Sequence, residues 1–342
     1  MSANGAPKPP VIADVARLAG VSVPTVSRVL TGAARVRPEK EQLVLDAIAK
    51  LNYRPSATAR ALVSRQSRTI AIVAGNTSQY GYAETIRGIE EEARADGYTV
   101  TITVVESVDD EVVSRAVDLV RDQSPAGVVV LKFDPPGVAT LNHLPHDVPL
   151  VAVSGVRVRD VPQAVLDETR AAEALTDHLL ELGHRTVHHV RIPPSRREDG
   201  RTTGWRRALK RAGVQSPKVF EATWSPESGR AIGREIAGDP EVTAVFCGND
   251  EIAMGVIKGL SDEGRRVPED VSVVGFDDHP LAAMWSPALT TVRQDFGGLG
   301  GRAFELLRHA MRGEDAKRFS SELPELVVRE SSGPPPAGRG RS

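Results

Sequence analysis

The chain has 342 residues, 40 % apolar and 26 % charged, with a formal net charge of −2. That balance excludes wholesale disorder and suits two or three folded units, with cores built from Ala, Val, Leu and Ile because aromatics are only 4 %. No run approaches 18 apolar residues, which excludes a membrane-crossing helix, and the single cysteine, Cys247, excludes an internal disulfide and a multi-cysteine zinc site.

Met1–Pro10 is Pro-rich and polar and is expected to be a disordered lead; it has no apolar signal-like core, so a cytoplasmic location is expected. Asp14–Ala19 reads as a short helix with Val15, Ala16 and Ala19 on one face, ended by Gly20. Ser22 suits an N-cap and Pro24 a first turn, so Thr25–Leu30 reads as a second helix. Thr31–Val36 is a loop, and Pro38 opens a third helix to about Leu51, with Val44, Ala47, Ile48 and Leu51 at helical spacing. The Ala-rich stretch Ser56–Ser64 is too short to be helical by itself. After Arg68 the rhythm changes. Strands are predicted at Thr69–Ala74, Thr99–Val105, Gly127–Leu131, Val148–Val153, Ala164–Leu166, Thr186–Ile192, Lys218–Ala222, Ala244–Cys247 and Val271–Phe276. Helices are predicted at Glu84–Asp96, Asp109–Gln123, Arg170–Leu182, Gly204–Ala212, Glu227–Ala237 and Glu251–Gly264. Buried strands alternating with helices imply parallel sheets. So long a run of them exceeds one core, so two α/β lobes are expected. Ser331–Ser342 is rich in Gly, Pro, Arg and Ser and reads as a disordered tail.

The head carries the chemistry of a polyanion binder. Residues 1–66 hold ten Lys/Arg against four Asp/Glu, or +6, whereas the remainder holds 33 against 41, or −8. A basic module on an acidic body is attracted to phosphate through the module alone. Within it, Ala16, Gly20 and Val26 have the spacing of a helix-turn-helix: a small residue for close approach, a left-handed turn and a β-branched lock. The second helix would then present Val23, Pro24, Ser27 and Arg28 outward. Arg28 suits a guanine edge, Ser22 and Thr25 suit phosphates, and Val23 and Pro24 suit thymine methyls.

The run IADVARLAGVSVPTVSRVL from Ile12 to Leu30, followed by Leu51-Asn52-Tyr53-Arg54-Pro55, resembles the head of the lactose/galactose repressor family, and the resemblance extends from about Val11 to Arg329. It implies an all-α helix-turn-helix head (11–55), a hinge helix and linker (56–66) that fold on operator DNA, and an α/β two-lobed type-I periplasmic-binding-protein-like core (67–330). By this resemblance Leu62 would wedge into the minor groove beside Ala59, and Arg35, Asn52, Tyr53 and Arg54 would contact the DNA backbone. Lobe one would span about 67–160 and 295–322, and lobe two about 163–291 and 325–330, with the ligand between them. Such a cleft lies at the carboxyl ends of strands.

Candidate effector contacts sit at those strand ends: Asn249, Asp277, Arg201 and Trp224, with Gln294 and Phe296 at the third crossing and Tyr82, beside Tyr80, on the loop after the first strand. Ser154 stands where sugar-induced relatives often place an Asp, so it brings a hydroxyl without charge. On the residues alone, Asn249 and Asp277 also fit helix caps, Trp224 a loop anchor and Arg201 a solvated charge.

Other signals point elsewhere. Asp277 and Asp278 are adjacent, so only one of them is expected to face the cleft. His188 and His189 occupy successive strand positions and, with His184, lack ligand spacing, so no metal is expected. Gly297–Gly301 resembles a nucleotide loop but has no βαβ context, and no cofactor is expected. The expectation is a non-enzymatic, sequence-specific DNA-binding regulator, most simply a repressor, homodimeric on a pseudo-palindromic operator and governed by a small sugar. The rivals are a transport receptor, a regulator answering to a non-sugar effector, and an enzyme on an α/β scaffold.

Overall fold

A computed structural model describes residues 10–31, 35–53, 67–145, 147–155, 161–194, 199–314 and 319–336. The chain divides into two compact units between Arg68 and Thr69. Arg54, Ala59, Leu62 and the expected hinge helix lie outside the described residues.

The first unit contains α1 (Ile12–Ala19), α2 (Val23–Thr31) and α3 (Pro38–Leu51). Helices of eight and nine residues are marginal alone. They persist because Val15, Ala16, Ala19, Val26, Val44, Ala47 and Tyr53 share one core. Asp14 accepts a hydrogen bond from the Val11 N–H at 2.9 Å, which orders the start of α1 and holds that carboxyl below its usual pKa. Gly20 turns the chain at φ 66°, a left-handed conformation that glycine adopts without a Cβ penalty.

Among the described residues the second unit has two large sheets and one of two strands. The first has the order β11-β5-β4-β3-β1-β2 and is wholly parallel: β1 (Thr69–Ala74), β2 (Thr99–Val104), β3 (Gly127–Leu131), β4 (Leu150–Ser154), β5 (Gln163–Leu166) and β11 (Phe319–Glu322). On one face Ile70, Ile72, Leu131 and Val153 pack against α4 (Tyr80–Ala95) and α11 (Phe296–Met311). On the other, Ala71, Val73, Val128 and Val130 pack against α5 (Asp110–Asp122) and α6 (Pro135–His143). The α4–α11 contact is backbone-close: a Cβ at Gly88 would collide with the Gly297 carbonyl, and one at Gly300 with the Thr85 carbonyl. The glycine run therefore has a packing role in helix approach.

The second sheet, β7-β6-β8-β9, is parallel too: β6 (His188–Arg191), β7 (Phe220–Glu221), β8 (Ala244–Cys247) and β9 (Ser272–Val274). One face meets α9 (Pro226–Ala237) and α10 (Asp250–Asp262), and the other meets α7 (Glu168–Glu181) and α8 (Gly200–Arg211). Beside β9, β10 (Thr291–Arg293) pairs antiparallel with β12 (Glu325–Val327). The chain passes between lobes after Leu166, after Arg293 and after Glu322.

Two sequence-based expectations are corrected. Gln163–Leu166 belongs to the first lobe, because β5 pairs with β4 on one side and β11 on the other. The tail is not disordered from Ser331: Ser331 is fully buried, its Oγ donates to the Val273 carbonyl at 2.6 Å, and it accepts from the Thr290 N–H at 2.9 Å. Gly333 exchanges hydrogen bonds with Ser272, and its carbonyl meets His184 Nε2 at 2.9 Å. Residues 337–342 lie outside the described residues.

Candidate functional site

The head presents one polar face. Ser22, Val23, Pro24 and Arg28 are exposed, Thr25 and Ser27 half-buried, and Val26 fully buried beneath them. Ser22 and Thr25 hydroxyls meet at 2.9 Å at the start of α2. Arg35 and Asn52 are exposed, and Asn52 closes α3 at φ 47°. Tyr53 packs its ring into the head core because the chain turns back after Asn52, and only 8 % of it is exposed.

In the second unit the strand ends of both lobes border a cleft of about 700 Å³, open mouth included. Tyr82, Ser154, Arg201, Trp224, Asn249, Asp277 and Phe296 all line it.

Arg201, in the first turn of α8, organises the floor. Its Nη2 lies 2.8 Å from Glu168 and 3.1 Å from Asp277, its Nη1 donates to the Gly248 carbonyl, and the guanidinium sits 4.5 Å over the Phe276 ring. Far from being a solvated charge, it is buried. Burial alone would lower its pKa, and Asp277 and Glu168 more than compensate. Burial pushes the Asp277 carboxyl up to about 7, against the lowering effects of Arg201 and Gln294. Asp277 has φ 114° and Asp278 φ 53°, so two left-handed residues send the carboxylates apart. Asp278 leaves the cleft for Arg293 at 2.8 Å and Arg329 at 2.6 Å.

Asn249 is both a cap and a wall. Its Oδ1 accepts from the Ile252 N–H at 2.9 Å, starting α10, while its Nδ2 approaches Glu251 at 3.3 Å. Gln294 is corrected from wall to support: it does not line the cleft, and its Nε2 donates to Asp277 Oδ1 at 2.7 Å from behind.

The first lobe contributes rings. Tyr82 donates its hydroxyl to Asp134 at 2.5 Å and stands edge-on to Phe133 at 5.1 Å. Asp134 is thereby fixed while capping α6 through the Gly137 N–H. Phe296 stands edge-on to Tyr80 at 5.8 Å, over Gly81, where a Cβ would crowd its ring. Tyr80 also meets His279 of the second lobe, centroids 5.0 Å apart, so this contact crosses the cleft mouth.

Sequence reasoning missed Lys132, Phe133, Glu168, Asp199 and Glu251, which also line the cleft. Glu168 follows a short buried strand and opens a helix, a position that points to a strand-end site once β5 is placed correctly. The histidines have structural partners: His189 is fully buried between Trp205 and Phe246, and His184 holds the tail.

Comparison with known proteins places these parts. Residues 11–56 match the bacterial regulatory proteins of the lacI family, and residues 176–332 match a periplasmic binding protein-like domain. The HTH-type transcriptional repressor PurR of Mannheimia succiniciproducens is 33 % identical over 328 residues, covering 94 % of this chain and 98 % of its own. A lac repressor dimer bound to operator and the anti-inducer ONPF superposes with a TM-score of 0.87 at 28 % identity, covering 95 % of this chain and all of its own. A complex of the transcriptional regulator CelR with cellobiose superposes at 0.69 with 29 % identity, over 94 % and 99 %. With near-complete coverage on both sides, the chain belongs to the lacI family of bacterial regulatory proteins, DNA-binding transcriptional repressors that carry a periplasmic-binding-protein-like ligand domain.

Proposed function

We propose that the chain acts in the cytoplasm as a homodimeric repressor, and that a small carbohydrate in the interlobe cleft controls its affinity for a pseudo-palindromic operator. The observation that carries this reading is the convergence of Arg201, Asn249, Asp277, Trp224 and Phe296 on one cleft. Apolar rings suit the C–H faces of a sugar, and the amide and carboxylate suit its hydroxyls. The relatives support it: one solved neighbour is a cellobiose complex, and another is a dimer on operator DNA. The exposed face of α2 reads bases, with Arg28 as its principal donor, and Ser22, Thr25, Arg35 and Asn52 hold phosphates. Arg54 anchors the backbone too, and Ala59 and Leu62 belong to a hinge that opens the minor groove.

The mechanism is a coupling between two sites. A ligand that binds one lobe arrangement better shifts the population toward it, and the operator prefers one arrangement as well. The coupling is worth about 1–3 kcal/mol and is reciprocal. The cleft serves binding without catalysis, because Glu168 and Asp277 are both committed to Arg201. A second reading, a planar heterocycle as effector, draws on the four rings Tyr80, Tyr82, Phe133 and Phe296 on one wall.

Gel shifts on DNA upstream of the protein's own gene, with and without a panel of sugars and nucleosides, test the proposal. Specific binding that an active sugar changes at least fivefold supports it. Retention on random competitor DNA alone removes the regulator reading, and a response confined to nucleosides selects the second one.

A further inference from the structure

We propose that the cleft takes its effector in an uncharged or cationic form in preference to the phosphorylated or carboxylated counterpart; this rests on the cleft being the effector site. Among the described residues the lining holds four carboxylates, Glu168, Asp199, Glu251 and Asp277, against two cations, Lys132 and Arg201. Neither cation is spare. Arg201 gives Nε and Nη2 to Glu168, Nη2 also to Asp277, and Nη1 to the Gly248 carbonyl. An incoming phosphate could claim the guanidinium only by leaving two buried carboxylates unpaired, which is costly. Lys132 is 4 % exposed and already has a partner.

The other common anion site in an α/β cleft is a helix start. At four of these starts the chain supplies its own oxygen, whereas α4, whose first turn lines the cleft, has no side-chain cap. Asp167 accepts from the Arg170 N–H at 3.2 Å at the start of α7, and Asp199 from the Thr202 N–H at 2.6 Å at α8. Asn249 does the same at α10, and Asp295 accepts from the Gly298 N–H at 2.8 Å at α11. Three of these four caps are carboxylates, so those three helix ends are already neutralised. Behind the floor, Gln294 Oε1 is buried with no hydrogen-bond partner among the described residues. Burial already holds Asp277 near pH 7 in its protonation, and a second anion would disfavour its charged form further.

Two measurements test this on the full chain. In the first, operator binding is followed by fluorescence anisotropy against matched sets: glucose, glucosamine, gluconate and glucose 6-phosphate; ribose and ribose 5-phosphate; adenosine and AMP. In any set that acts, the neutral or amino member is expected to act at a concentration at least tenfold lower than the anionic one. An anionic member acting at an equal or lower concentration overturns the proposal. In the second, thermal melts at fixed ionic strength compare inorganic phosphate with chloride. The native chain is expected to show no phosphate-specific rise in Tm, and Glu251→Lys, a change at a half-buried lining residue, to gain one. A phosphate-specific rise in the native chain, or none in Glu251→Lys, counts against it. A silent first panel argues against the sugar reading itself, and the melts still decide the charge preference.

Discussion

Arg28 and Asn249 carry the most specific claims, one on each unit. Arg28 is exposed on α2, above the buried Val26. Arg28→Ala is expected to lose about 1–3 kcal/mol of discrimination at one base pair, whereas Arg35→Ala weakens all sequences alike. Binding selections on randomised operators check this, and equal effects of the two changes would remove the base-reading role. Asn249 needs two substitutions to separate its cap from its amide. Asn249→Ala removes the acceptor for the Ile252 N–H and is expected to cost about 1 kcal/mol of stability as well as the effector response. Asn249→Asp keeps the cap and loses the donor, so its Tm should stay while effector affinity, read by calorimetry, falls about tenfold. A full effector response in both variants would contradict the cleft assignment. Arg201 is a poorer probe, since truncating it strands Glu168 and Asp277 at a cost of about 3–5 kcal/mol. At this scale the sequence was informative wherever a residue's role is local: the left-handed turn at Gly20 and the cap at Asn249 follow from neighbours in the chain. Gln294 was misplaced because what it touches, Asp277, is set by long-range folding.

Among the elements, β6 and the tail make measurable predictions. His189 on β6 is fully buried, its Nδ1 facing the Phe246 carbonyl at 2.9 Å, and burial lowers its pKa from 6.5 to about 4. Folding therefore favours the neutral ring. The stabilisation is fully present above pH 6.5 and is lost as pH falls through 4, amounting to about 3 kcal/mol. Asp277 works in the opposite direction, because its raised pKa favours the fold at acid pH and that contribution is lost as pH rises through 7. Thermal melts of His189→Gln against the native chain isolate the histidine: the gap between them should narrow from pH 7.5 to 4.5, and a constant gap would refute the assignment. Truncation after Glu330 removes the Ser331 and Gly333 bonds to Val273, Thr290, Ser272 and His184. It should cost roughly 5 kcal/mol at about 1 kcal/mol for each of the five bonds, lowering Tm by several degrees; an unchanged Tm would mean the tail is not a structural strap. Composition could not reveal that strap, since Ser, Gly and Pro read as disorder until their partners 40–150 positions away are known. The four-residue run Gln163–Leu166 was ambiguous for a related reason: it is buried enough for either sheet, and only pairing with β4 and β11 decides.

For the whole molecule, alternation of buried strands with amphipathic helices made two parallel-sheet lobes legible, and the head's +6 against the body's −8 located the DNA-facing part. What the sequence left open is how the cleft's charge is distributed, because the pairing of Arg201 with Glu168 and Asp277 joins residues from three separate segments. The central claim is that a ligand in this cleft governs the grip of the head on DNA. Calorimetry first identifies a ligand that binds the native chain and loses affinity in Asn249→Asp. Operator affinity of the native chain is then measured by fluorescence anisotropy without that ligand and at saturation. A change of about 5–150-fold, mirrored by the same factor in ligand affinity when operator is present, is the predicted result; an operator affinity that stays constant while the cleft is demonstrably filled would contradict it.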